Sequence, residues 1–161
     1  MFIALLVLLS MTTCDTVVLT DNSIESDLKV ILETKKLPPE LSITYDDMHG
    51  LWGGTKITII GAGSGEIQQR DRGHEQPQIL KNTLEQDQLL ELVKLLVDLK
   101  AWEQRTRERQ PLADESRATL TINTGAHSST MWEWFKDMEM NKRLVQIKTK
   151  MAQMVKKTKG A

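Results

Sequence analysis

Residues 84–102 run Leu84-Glu-Gln-Asp-Gln-Leu-Leu-Glu-Leu-Val-Lys-Leu-Leu-Val-Asp-Leu-Lys-Ala-Trp102, a long helical pattern around which the rest of the chain must be arranged. Leu89, Leu90, Leu92, Val93, Leu95, Leu96, Val97 and Leu99 are aliphatic, and only Glu91, Lys94 and Asp98 mark a polar strip. At about 100° per residue those three fall on one narrow arc, so the apolar arc is wider than a one-sided surface helix needs. Such a helix must be covered on most sides. Burial at roughly 1.5–3 kcal/mol per aliphatic side chain makes it the largest expected local source of stability. It identifies a core and not an activity.

The flanking sequence switches to a period of two. Leu41–Tyr45 alternates strictly, as a strand with one buried face does, and Lys56–Ile60 is the next strand. Between them Asp46–Gly54 is a loop containing Gly50, Gly53 and Gly54. Gly61–Gly65 turns the chain, Glu66–Arg70 runs back, and Gln78–Leu84 adds a fourth strand before the helix. After a charged loop, Glu103–Ser116, the segments Arg117–Thr124 and His127–Phe135 form a hairpin around Gly125-Ala126. A closing helix over Met138–Lys157 places Met140, Leu144, Ile147, Met151 and Met154 on one stripe. The expected fold is α+β: an antiparallel sheet of five to six strands with two helices packed on one face. Ahead of it, residues 14–37 read as a tether or a short helix through Ile24, Leu28, Ile31 and Leu32, stopped at Pro38-Pro39, so the domain is drawn over 38–161.

With 161 residues and 40% hydrophobic content, one domain can bury a core without covalent staples. The 21 basic and 22 acidic residues nearly balance, so no whole-molecule field draws nucleic acid, and no nucleic-acid partner is expected. Cys14 is the only cysteine, which excludes an internal disulfide, a CxxC redox pair and a cysteine-based zinc site.

Phe2–Leu9 is an unbroken apolar run followed by Ser-Met-Thr-Thr-Cys14. About eight helical residues span only ~12 Å of a ~30 Å hydrocarbon layer, so the run is the core of an export signal and not a membrane span. It resembles a bacterial lipoprotein signal, although no Lys or Arg precedes it and Met11 and Thr13 depart from that signal's usual residues. The resemblance implies removal of residues 1–13, acylation of Cys14 and a lipid anchor in the cell envelope. Cleavage by a general signal peptidase to a periplasmic or secreted protein, an uncleaved anchor, and a cytoplasmic chain are the alternatives. With its tether and its sheet-and-helix layout, the chain resembles uncharacterised small bacterial lipoproteins and secreted domains of unknown function. That likeness implies no catalytic residues.

Four features invite a functional reading. Lys56–Gly65 looks like the opening of a dinucleotide-binding fold, but Glu66 stands where the last glycine belongs, and residues 66–76 lack an apolar helical face. A glycine-rich β-turn is expected there, and no cofactor. Asp46, Asp47 and His49 are the densest group of metal or acid–base side chains, joined by His74, Glu75 and His127 only if loops converge to ligand distance. A plain solvated turn uses the same residues. Thr130, Trp132 and Trp134 share one strand face and Met131, Glu133 and Phe135 the other. The tryptophans are expected to cover the helices, with an exposed recognition face as the alternative, and Trp52 in its glycine-flanked loop is the better exposed contact. Finally, Lys142–Lys159 holds seven basic residues and no acidic one, a solvated face or a contact for anionic lipid. The leading expectation is a non-enzymatic envelope module that binds a protein or other surface ligand. A hydrolase or metal-dependent enzyme built on Asp46, Asp47, His49, His74 and His127 is the competing one.

Overall fold

A computed structural model describes residues 22–106 and 109–156. The predicted signal and Cys14 lie outside the described residues. The chain folds as α+β, in the order α1 (Asn22–Thr34), β1 (Ser42–Asp46), β2 (Gly54–Ile60), β3 (Ser64–Arg70), β4 (Gln78–Thr83), α2 (Gln86–Asp98), β5 (Arg117–Asn123), β6 (Ser128–Trp134), a 3₁₀ segment (Phe135–Met140) and α3 (Lys142–Lys156). All six strands join one antiparallel sheet in the order β4-β3-β2-β1-β5-β6.

The register sorts side chains by face. Ile43 pairs with Ile59 and Ile122, Tyr45 with Ile57 and Leu120, and Leu120 with Met131, so these residues share one side and are buried there. Leu89, Leu92, Val93 and Leu96 of α2, Leu144, Ile147 and Met151 of α3, and Ile24, Leu28 and Ile31 of α1 complete a single core with them. Helix α2 packs between α1 and α3. Covered on both flanks in this way, all eight of its aliphatic side chains are buried or half-buried, as its wide apolar arc requires. Of the two readings of the segment before β1, the short helix holds over Asn22–Thr34, and among the described residues α1 joins α2 and α3 in the core.

Helix α2 is shorter than its pattern. Glu85 and Gln88 form a reciprocal capping box at its start, the Glu85 N–H donating to Gln88 Oε1 at 2.9 Å. Its end is a Schellman turn in which Ala101 N–H donates to Leu96 O (2.9 Å) and Lys100 N–H to Val97 O (3.0 Å). Lys100 takes the left-handed conformation usually given to glycine, at φ 46°. From α3 the Arg143 guanidinium donates to the Lys100 and Glu103 carbonyls at 2.8 and 2.7 Å, where a cation also meets the negative end of α2.

The glycine-rich segment is a packing device. Gly63, at φ 91°, turns β2 into β3, and Gly65 is the second residue of β3, beneath α3. A Cβ on Gly65 would sit 2.7 Å from Val155 Cγ2, closer than packed carbons tolerate, so α3 can seat on the sheet only because that side chain is missing. Residues 64–70 are a strand, so no helix N-terminus follows the glycines to receive a phosphate.

Helix α1 is clipped to the β5–β6 turn by Asp27, whose Oδ2 accepts the Thr124 hydroxyl at 2.5 Å and contacts His127 Nδ1 at 2.8 Å. Burial alone would raise the Asp27 carboxyl. The hydrogen bonds from Thr124 and His127 outweigh it and hold the group below its ordinary value.

Candidate functional site

The loop between β1 and β2 is built by its own polar side chains. Asp46 Oδ1 accepts the Met48 N–H at 2.9 Å, and its carboxylate lies 3.6 Å from Lys56. The His49 and Gly53 backbones exchange hydrogen bonds of 2.7 and 3.1 Å. His49 Nδ1 accepts the N–H groups of Leu51 (3.1 Å) and Trp52 (3.3 Å), which leaves the proton of the neutral ring on Nε2. Arg70 on β3 donates to the His49 and Gly50 carbonyls at 2.5 and 3.2 Å. Gly53 has φ 79°, and a Cβ there would meet Arg70 O at 2.0 Å, so the residue must be glycine.

Asp47 points the other way, into the protein. It is only 4% exposed. Its Oδ2 accepts the Tyr45 hydroxyl at 2.6 Å and the Lys148 ammonium at 2.5 Å, while Oδ1 accepts the Thr55 N–H at 2.6 Å. Lys148 Nζ also sits 4.9 Å from the centre of the Tyr45 ring. Burial first, and then the bond to Asp47, push the Tyr45 phenol above its ordinary value, so it stays a donor. Asp47 ties the loop to α3, with both oxygens of its carboxylate engaged.

The candidate metal and acid–base residues therefore do not converge. Asp46 faces Lys56, Asp47 faces α3, His49 holds its own loop, and His127 lies at the far turn with Asp27. Among the described residues no three His, Asp or Glu side chains form a set that could hold a metal ion. Three of the five described basic residues of α3 are committed: Arg143 caps α2, Lys148 pairs with Asp47, and Lys150 reaches Glu91 at 2.6 Å.

The loop instead presents an aromatic cleft. Trp52, with the Arg72 guanidinium 4.0 Å from its ring centre, is 50% exposed. Across from it Phe135 is 43% exposed. His49, Trp52, Phe135, Lys136 and the segment Ala113–Ser116 enclose about 300 Å³. The Ser116 hydroxyl in this wall is buried and has no hydrogen-bond partner among the described residues. Phe135, Lys136 and Ser116 were not singled out from sequence. Strand alternation put Phe135 beside Met131 and Glu133, but β6 ends at Trp134 and the 3₁₀ turn swings Phe135 outward.

Trp132 and Trp134 are not under the helices. Because Leu120 pairs with Met131, the two rings lie on the opposite face of the sheet, packed edge to face with centres 5.1 Å apart. Arg117 stacks on both, at 4.0 and 4.6 Å, and Arg109 lies 5.1 Å over Trp134. Trp134 is thus buried by arginines and the 109–116 loop. Glu133 takes the place on the helix side, where its carboxylate accepts the Trp134 N–H and the Asn141 amide, both at 2.9 Å. Asn141 in turn caps α3 by accepting the Leu144 N–H at 3.1 Å.

The arginine cover carries a pH signature. Arg109 forks onto Glu115 with two bonds of 2.7 Å and donates to Asp137 at 2.9 Å, holding the Glu115 carboxyl down to about 2. A carboxyl with a depressed folded-state value contributes stability above its ordinary range near 4.5, and that contribution is lost as pH falls toward 2. Glu115→Gln is expected to lower the denaturation midpoint at pH 7, with the difference from the parent closing as pH drops through this window. Denaturant titrations followed by tryptophan fluorescence at a series of pH values check it. In comparisons with protein-family models, with characterised proteins and with solved structures, nothing matches the chain.

Proposed function

We propose that the protein is a non-enzymatic interaction module of the cell envelope, and that the cleft between Trp52 and Phe135 receives an apolar side chain of a partner protein. The observation that carries this reading is the cleft itself: two large aromatics held apart at the surface by a loop whose every other polar side chain is spent on keeping its shape. Concave, mostly apolar sites with a few polar groups are where proteins take ligands. Asp46, Asp47, His49 and His127 are engaged with Lys56, Lys148, their own loop and Asp27 respectively, which supports binding over hydrolysis.

N-acetyl-phenylalaninamide, followed by amide chemical shifts, tests the cleft. Saturable shifts confined to residues 49–52, 113–116 and 135–136, and lost in Trp52→Ala and Phe135→Ala, are expected. Shifts scattered over the surface, or unchanged by both substitutions, overturn the reading. Residues 1–14 supply the envelope part of the proposal, and intact-protein mass spectrometry tests it. A mature chain beginning at diacylglyceryl-Cys14 supports the anchor, and one that retains Met1 rejects it.

A further inference from the structure

The two edges of the sheet are treated differently. At the β6 edge the Gln104 side-chain amide copies a neighbouring strand: Nε2 donates to Trp132 O and Oε1 accepts the Trp132 N–H, both at 2.9 Å, and the Thr106 hydroxyl also donates to Trp132 O at 2.5 Å. That edge is sealed at its middle. At the other edge, the Leu84 N–H donates to Gly63 O at 2.8 Å, and the ladder pairs Asn82 with Gly65 and Leu80 with Ile67. Counting back in twos, the backbone groups of Asn82, Leu80 and Gln78 face β3, and those of Ile79, Lys81 and Thr83 face away. None of those three makes a backbone hydrogen bond on the outer side among the described residues. The strand also carries Ile79, 57% exposed, and Leu80, 46% exposed, on its two faces. No bulge or proline interrupts it, and Lys81, the one charge natural edges use for protection, is already paired with Glu66 at 2.9 Å.

We infer that β4 is a self-association edge, at which a second copy of the chain adds its own β4 antiparallel across a twofold axis. The strand's sequence selects one register. With the axis at Leu80, Leu80 faces Leu80 of the second copy on the helix side, Gln78 faces Asn82, and Ile79 faces the aliphatic stem of Lys81 on the other. The outward groups of Ile79 and Lys81 then exchange four backbone hydrogen bonds. Moving the axis to Lys81 would set two like charges directly opposite each other, which cross-strand pairing disfavours. The axis at Ile79 would place Pro77, which has no N–H, opposite Lys81. Because the β6 edge is sealed, growth stops at two chains and the contact closes instead of extending into a fibre. A contact of one strand is small, so the dimer is reversible and concentration-dependent.

Sedimentation equilibrium of the full chain from micromolar to near-millimolar concentration is expected to show the mass rising from one chain toward two and no further. Lys81→Pro removes a donor that points away from β3, so it leaves the internal ladder intact and is expected to weaken the dimer by about tenfold or more, with circular dichroism unchanged. In a Cys14→Ser background, Leu80→Cys is expected to form a disulfide-linked dimer on mild oxidation, because non-hydrogen-bonded partners bring their Cα atoms to about 4.5 Å, while Ile79→Cys is not. A chain that stays single at every concentration, a mass that climbs past two chains, or cross-linking equal at the two positions overturns the inference.

Discussion

Replacing Asp47 with alanine is expected to remove about 3–5 kcal/mol of folding stability, the usual cost of breaking a buried pair by deleting one member. The loss would strand three groups at once: the Tyr45 hydroxyl, the Thr55 N–H and the Lys148 ammonium, now bonded at 2.6, 2.6 and 2.5 Å. Lys148 is about one-third exposed and regains water, so most of the cost falls on Tyr45 and Thr55. Asp47→Asn keeps an acceptor for one of them and is expected to cost less. Equilibrium urea unfolding of both variants checks the order, and a loss below about 1 kcal/mol for the alanine variant contradicts the assignment of Asp47 as a structural tie.

Leu92→Ala is expected to cost about 2–5 kcal/mol, the range for deleting a fully buried leucine side chain. Leu92 lies at the centre of α2, and α2 lies between α1 and α3, so the cavity is lined by three helices that cannot all close on it. The same denaturant titration measures it, and the transition should remain single, since sheet and helices share one core.

What could be read from the sequence divides along physical lines. The strands, the central helix and their antiparallel arrangement were legible, because period-two and period-3.6 patterns of Ile, Leu and Val report which face is covered. Helix ends were not. The stop after α2 rests on Lys100 in a left-handed conformation and on Arg143 arriving from 40 residues downstream, neither of which leaves a local signal. Helix α1 was ambiguous because Ile24, Leu28 and Ile31 make a stripe only as wide as one neighbouring helix requires. The tryptophans misled for a different reason. Alternation placed Trp132 and Trp134 on a common face but did not say which face the helices occupy, and Glu133 sits on the covered one because Asn141 and the start of α3 receive its carboxylate. In the β1–β2 loop, the Asp-Asp-x-His pattern of Asp46–His49 serves a metal site or a self-bonded turn equally well, and only the directions of the side chains separate the two. The cleft is half legible: Trp52 stands out in its glycine-flanked loop, while strand alternation carries β6 on to Phe135, one residue past its end at Trp134.

The central claim is that α2 is enclosed by α1, α3 and the sheet in one cooperative core, which holds the aromatic cleft at its rim. Native-state hydrogen exchange tests it most directly. The amides of Leu92, Val93 and Leu96 and those of Leu28 and Ile31 in α1 are expected to exchange only through global unfolding, with one common free energy and one common denaturant dependence. Exchange of the α1 amides at a markedly lower free energy, or of the α2 amides through local opening, would contradict it.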